Sequence, residues 1–314
     1  MCKIRSNRSK LIPWIVQGLF LALCLLIVQV EPAGAAQKDK QAKGPRPVGP
    51  VNQSNGGVYE KGECGIILKY INVIEDQLYQ GDDEVDFARP TGPGKKVSKK
   101  TTDKYQLTLR AGIFENFDAR VVVPFLDKHM YRHSKTKDFA DSNSGVGDIK
   151  LISRYRIMSQ KRKDPLNMAV GVGVKMPTGE TDEKDEAGVF LPGFLQTGSG
   201  SWDPIVELGA HKVIGRHWLS SYFMCKLSTE GELGSRDYEK PDRFKYNFAY
   251  GYAVSRLFDL GLELNGDVKG KAKLDGQKQE NTGGQSYTYP PAFISSFTRG
   301  CILTPAFRFR STGI

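Results

Sequence analysis

The 314-residue sequence predicts an all-β protein, an antiparallel transmembrane β-barrel of the outer-membrane type. Three observations lead there. Side-chain character alternates with a period of two in segment after segment from residue 104 onward, as strands with unlike faces do. The segments run to about ten residues or more, enough to cross a bilayer at a tilt of ~45°, whereas soluble strands cluster near 5–6. The connections alternate between tight and long, as in barrels with short periplasmic turns and long outer loops.

Residues 1–10 hold four cations and no anion, and Leu11 to Val30 form an almost uncharged apolar stretch. Ala33 and Ala35 fit the −3 and −1 positions of an A-x-A site, so residues 1–35 read as a signal peptide cleaved after Ala35. A retained anchor is the competing reading. Pro13, Gln17 and Gly18 interrupt it, and no basic stop-transfer cluster follows. Without this leader 41 cations face 34 anions, a net charge of +7 spread along the chain. No interleaved aromatic and Arg pattern points to nucleic acid. Residues 36–62, rich in Pro, Gly, Lys and Gln, read as a flexible periplasmic lead-in. The barrel is expected over 63–310.

The first strand is expected at 65–79. Others follow at 104–113, 117–126, 145–158, 167–177, 201–213, 217–228, 243–255 and 257–269, with weaker candidates at 286–297 and 300–310. That makes eleven, whereas single-chain bacterial barrels use even numbers. Twelve is the expectation for the intact architecture, and ten if two segments merge. The tail after about residue 285 is atypical: Tyr289-Pro290-Pro291 interrupts a strand, no terminal aromatic follows, and a truncated or altered tail is the expectation. Tight connections are expected at FENF, at KRKDPLN and after Val213 and Val254, with long ones at 80–103, 127–144, 178–200, 229–242 and 270–286. Tyr105, Trp202, Trp218, Tyr250 and Tyr252 are assigned to an interfacial aromatic girdle.

The inward face is polar and mixed in sign. Arg110, Arg120, Lys150, Arg154, Arg156, Lys175, Lys226, Arg243, Lys245 and His211 are expected to line the lumen with Asp148, Asp203, Glu207, Asp259, Glu263 and Asp267. Such residues either pair across the lumen and plug it or line a wet pore whose charge sets selectivity. In the long loop 181–200 an acidic run precedes an apolar one. Phe190, Leu191, Phe194 and Leu195 are therefore expected to fold into the mouth as a candidate gate or to touch the membrane. His129 and His133 are four apart, a spacing that means little outside a helix, so no metal is expected, nor any cofactor. No GxSxG, HExxH or phosphate loop occurs, so no enzyme is expected. Cys64, Cys225 and Cys301 are expected to be unpaired.

Three segments carry a resemblance: SGVGDIK at Ser144 to Lys150, VKMPTGE at Val174 to Glu180, and TGSGSWDP at Thr197 to Pro204. In order and spacing they resemble a family of bacterial outer-membrane proteins named for the meta-pathway of phenol degradation, over roughly residues 60–285. The resemblance implies an outer-membrane channel or transporter for passive uptake or efflux of small, often aromatic, molecules. Outer-membrane lipid, a small-molecule solute and the barrel-assembly machinery are the implied partners. Read physically, the motifs are architectural, with Asp148 facing inward and Pro177-Thr178-Gly179 ending a strand. A non-conducting structural or adhesion barrel and a soluble periplasmic β-sandwich binding protein are the alternatives.

Overall fold

The computed structural model describes residues 56–75, 78–80, 83–85, 96–185, 188–234, 236–254, 258–279, 282–288, 291–297, 301–303 and 311–312. The expected signal peptide and most of the lead-in lie outside them. Among the described residues every assigned element is a strand except one 3-10 turn, Gln160–Arg162.

β1 (Cys64–Glu75) starts the main sheet and is followed by a small hairpin of β2 (Leu78–Gln80) and β3 (Asp83–Val85). β4 (Lys96–Phe114) and β5 (Phe117–His133) come next, then β6 (Asp138–Val146) and β7 (Lys150–Met158), which share one pass broken at 147–149. β8 (Asn167–Lys175), β9 (Asp203–Ile214) and β10 (His217–Lys226) follow. β11 (Glu230–Leu233) and β12 (Arg236–Glu239) form a loop hairpin before β13 (Arg243–Ala253) and β14 (Phe258–Lys269). β15 (Lys273–Leu274) and β16 (Gln277–Lys278) extend that hairpin into a separate four-stranded sheet. β17 (Gly284–Thr288) and β18 (Pro291–Phe297) share the tenth pass, and β19 (Cys301–Leu303) and β20 (Ser311–Thr312) pair with them as the eleventh.

The main sheet runs β1-β4-β5-β7-β8-β9-β10-β13-β14 and on to β17, β18 and β20, antiparallel throughout. Its eleven passes match the number counted in the sequence, and no twelfth is assigned among the described residues. No described ladder joins the first and last passes, but the sheet curls back on itself. Lys269 Nζ of β14 lies 3.7 Å from Glu75 Oε1 of β1. In a flat sheet eight strand spacings of about 4.8 Å would hold them about 38 Å apart.

Alternation sorts the two faces. On β4, Tyr105, Leu107, Leu109 and Ile113 point outward, about 26 Å along the strand. Tyr70, Tyr105 and Phe125 form a row across three neighbouring strands, with ring centroids 5.1 and 6.5 Å apart. Just beyond it the outer face turns polar: Asp103 accepts hydrogen bonds from Tyr70 at 2.6 Å and Asn72 at 2.7 Å. Exposed Trp202 and Tyr250 also sit where a girdle was expected. Trp218 does not. It is 2% exposed and points inward, its indole lying over Gly251 and Gly261 on the next two strands. A girdle assignment from residue type alone missed the parity: Trp218 shares a face with Ser220 and Tyr222, not with Leu219.

Two of the expected long loops contain strand at their barrel ends. β4 begins at Lys96, β5 runs to His133 and β6 starts at Asp138, so this hairpin projects past the apolar band. Mixed polar composition on both faces concealed it. The first strand stops at Glu75 instead of residue 79. At the other end turns are tight, with Asn116 and Gly215 at positive φ, which Asn and Gly tolerate.

Candidate channel lumen and its mouth

The three motifs meet at one place. Asp148, at the break between β6 and β7, accepts from Lys175 Nζ at 3.0 Å and Ser199 Oγ at 2.6 Å, and its other oxygen accepts from the Gly179 N–H at 3.2 Å. Lys175 also pairs with Asp203 at 2.9 Å, and Asp203 with Lys226 at 2.7 Å. Ser201 Oγ donates to Asp203 at 2.8 Å. Thr178 Oγ1 accepts from Ile149 N at 2.9 Å, and Thr197 Oγ1 accepts from Glu180 N at 3.2 Å. Gly179 and Gly198 cross so closely that a Cβ on either would strike the other's backbone. Both ends of the loop between β8 and β9 are thereby fixed to the inner wall.

The loop crosses the mouth. Leu195 is fully buried and packs with Leu191 on Met130 of β5, with Val97 and Phe194 alongside. Lys128 donates to the carbonyls of Phe194 at 2.8 Å and Gln196 at 2.7 Å, and Asn143 donates to Leu195 O at 3.1 Å. Gln196, buried, ties the loop internally to Glu183 and Leu191. Of the four expected gate residues, Leu191, Phe194 and Leu195 fold inward, while Phe190 stays exposed beneath Lys184.

Below the mouth lies a vestibule with excess positive charge. Lys104 of β4, Lys150 of β7, Lys226 of β10, and Arg243 and Lys245 of β13 all face it. Arg243 pairs with Asp267, and Lys245 lies 3.9 Å from the same carboxylate. The ammonium groups of Lys104 and Lys150 have no ion pair or hydrogen bond among the described residues, while the charges of Lys245 and Arg243 bear on Lys104. At the mouth, burial and the neighbouring Lys128 ammonium push Lys240 down to about 7. Lys240 donates to Gly198 O.

The next level down is filled. Glu207 pairs with Arg120 at 2.5 Å and Arg154 at 3.4 Å and accepts from Tyr222 at 2.7 Å, and all four groups are largely buried. Ile152, Ile205, Tyr222 and Met224 pack beside them. Asn247 donates to Asn265 at 2.9 Å and to Glu263 at 3.5 Å. Asn247 Oδ1, Asn265 Nδ2 and Trp218 Nε1 are buried atoms without a protein partner. Buried polar atoms in that state are ordinarily satisfied by ordered water.

Residues 56–60 close the short-turn end. A Cβ on Gly56 would strike the backbone at Asn167 and Ala210, while Tyr59 lies against Gly65 and Glu60 against Gly112, on β1 and β4. The segment therefore spans the opening from one wall to the other. Arg110 donates to Gly57 O at 2.7 Å and stacks over the Tyr59 ring at 4.3 Å, and Arg156 donates to Val58 O. Asp118, paired with Arg110, accepts from the Tyr59 N–H at 2.8 Å. This part of the expected lead-in is thus a strap within the barrel, with Val58 buried. No periodicity marked it, because its hydrogen bonds run to side chains on the wall instead of a strand neighbour.

The structure places Arg110, Arg120, Asp148, Lys150, Arg154, Arg156, Lys175, Asp203, Glu207, His211, Lys226, Arg243, Lys245, Glu263 and Asp267 on the inner face. The Asp259 side chain lies outside the described residues. His211 sits 3.0 Å from Asn167. His129 and His133 face outward and pair separately, with Asp127 and Asp138. Cys64 and Cys225 are free. The reading missed Lys104, Lys128 and Lys240. Parity with Gln106 and Arg120 marks the first two, and nothing local marks the third.

The family described as "Putative MetA-pathway of phenol degradation" matches residues 95–300. Among solved structures, an outer-membrane channel from Pseudomonas putida F1 is similar in fold, with a TM-score of 0.58 at 15% identity. The likeness covers 80% of this chain and 88% of that one. No curated protein matches the sequence.

Proposed function

This chain belongs to the MetA-pathway phenol-degradation family, and from that premise we propose that it is an outer-membrane channel for passive movement of small molecules, aromatic compounds among them. The observation that carries the reading is the division of faces, with an aromatic-edged apolar band outside and a wall inside that carries most of the strands' charged and polar side chains. In hydrocarbon every backbone polar group needs a partner within the protein, a demand that a sheet closed on itself with its apolar face outward meets. The similar fold of an outer-membrane channel supports the same reading.

On this reading the chain sits among outer-membrane lipids after export and insertion by the assembly machinery, and it carries no catalytic role. Solute enters past the loop 176–202, meets the cationic vestibule and passes the Glu207 level beside β10, β13 and β14. It leaves where the strap lies. A second reading, a non-conducting barrel, draws on the buried charge network and the strap. Planar-bilayer recordings separate the two: stable open steps support the channel, and a closed record under all voltages supports the other.

A further inference from the structure

We propose that the ammonium groups of Lys104 and Lys150, with Lys245 beside them, form a binding site in the vestibule for the oxyanion of a small molecule, a carboxylate or phosphate. The argument starts from the neighbouring acids, each of which already has a cationic partner. Asp148 is held by Lys175, and Asp203 by Lys175 and Lys226. Asp267 is held by Arg243, and Glu75 faces Lys269. Nothing anionic among the described residues remains for Lys104 and Lys150, which project inward from β4 and β7, the two strands flanking β5. Lys128 and Lys240 do not offset the excess, since their partners are loop carbonyls, which carry no net charge.

Like charges held together in a partly enclosed space repel, and the cost falls when an anion enters. An ammonium presents three donors on a compact charge, suited to an oxyanion without demanding the planar geometry of a guanidinium. Lys104 and Lys150 are only partly buried, so their ammonium groups face space inside the curled sheet. Binding there would concentrate anionic solutes ahead of the narrow level, as charged rings do in selective pores. That consequence for flux rests on the channel reading; binding itself does not.

The test uses the detergent-solubilised full chain, its folding checked by heat-modifiable gel migration. Benzoate, inorganic phosphate and, as a cationic control, tetraethylammonium are titrated by calorimetry against three proteins. These are the wild type, the Lys104→Met/Lys150→Met double variant, and Lys163→Met, which removes an exposed charge at the opposite end. The expected result is anion binding by the wild type and Lys163→Met, weakened at least tenfold in the double variant, with no tetraethylammonium binding. Benzoate alone would mark an organic-acid site, and phosphate alone an inorganic one. Equal binding by wild type and double variant, or no anion binding, would overturn the proposal. If the double variant does not fold, Lys104→Gln serves in its place, with the same loss expected. Bilayer recordings on the same samples keep the two readings apart: anion binding without conductance sinks the channel and leaves the site standing.

Discussion

Trp218 and Gly251 sit directly opposite each other on β10 and β13, and the indole covers the glycine. A Cβ at Gly251 would fall inside the ring, so Gly251→Val is expected to abolish the heat-stable folded band. Trp218→Ala should leave the fold and cost about 3–5 kcal/mol in urea titrations of the reconstituted protein. Asp118 is a second such position. Fully buried, it holds both Arg110 and the Tyr59 N–H. Replacing it with Ala leaves a buried guanidinium without its counter-charge, at a cost of about 3–5 kcal/mol by the same measurement. Lys240 gives the pH dependence. Its ammonium is held near 7, below the ordinary value of about 10.4, because burial and Lys128 disfavour the charge, with Lys175 and Lys226 adding to the effect and Asp148 opposing it. The folded state therefore binds fewer protons than the unfolded one between those values. The resulting penalty is fully present below about pH 7 and fades as pH rises toward 10. In function, the mouth loses one positive charge as pH rises from 6 to 8. Reversal potentials in a KCl gradient should shift toward cation selectivity over that interval, and the part of the shift due to this residue should vanish in Lys240→Met.

Among the elements, the strap and the mouth loop act as two barriers in series. Removing residues 56–60 takes the strap from the short-turn end, so single-channel conductance should rise while the barrel persists; an unchanged conductance would show that the strap does not obstruct the path. The loop is fixed by the Asp148–Lys175–Asp203 cluster. Asp148→Ala should release it and increase both solute flux into liposomes and protease cleavage within 186–196. The strands were readable because alternation is imposed by two unlike surroundings. It gave the passes at 167–175 and 243–253 almost to the residue. It failed where both surroundings are wet, as in the projecting ends of β4 and β5, and where a segment bonds to side chains, as at 56–60. Lumen residues were likewise readable from parity, Arg154 and Glu207 among them. Their pairing was not, because β5, β7 and β9 bring together groups up to 87 residues apart. The three motifs were visible as text, but their joint role needed the fold.

At the scale of the whole molecule, the eleven antiparallel passes among the described residues curl until Lys269 reaches Glu75, and the two faces meet different media. Most charges inside pair with a group from another strand, with Lys104 and Lys150 the exceptions, and the outward rows of β1 and β4 are apolar until Asn72 and Asp103 mark their edge. Orientation of the faces is the central claim, and β4 tests it most directly. In a background with all cysteines replaced by Ser, single cysteines at positions 104 to 109 are labelled with a small fluorophore and reconstituted in vesicles containing a lipid-confined quencher. The account predicts quenching at 105, 107 and 109 and protection at 104, 106 and 108. Uniform quenching along the strand, or quenching at the even positions, would contradict it.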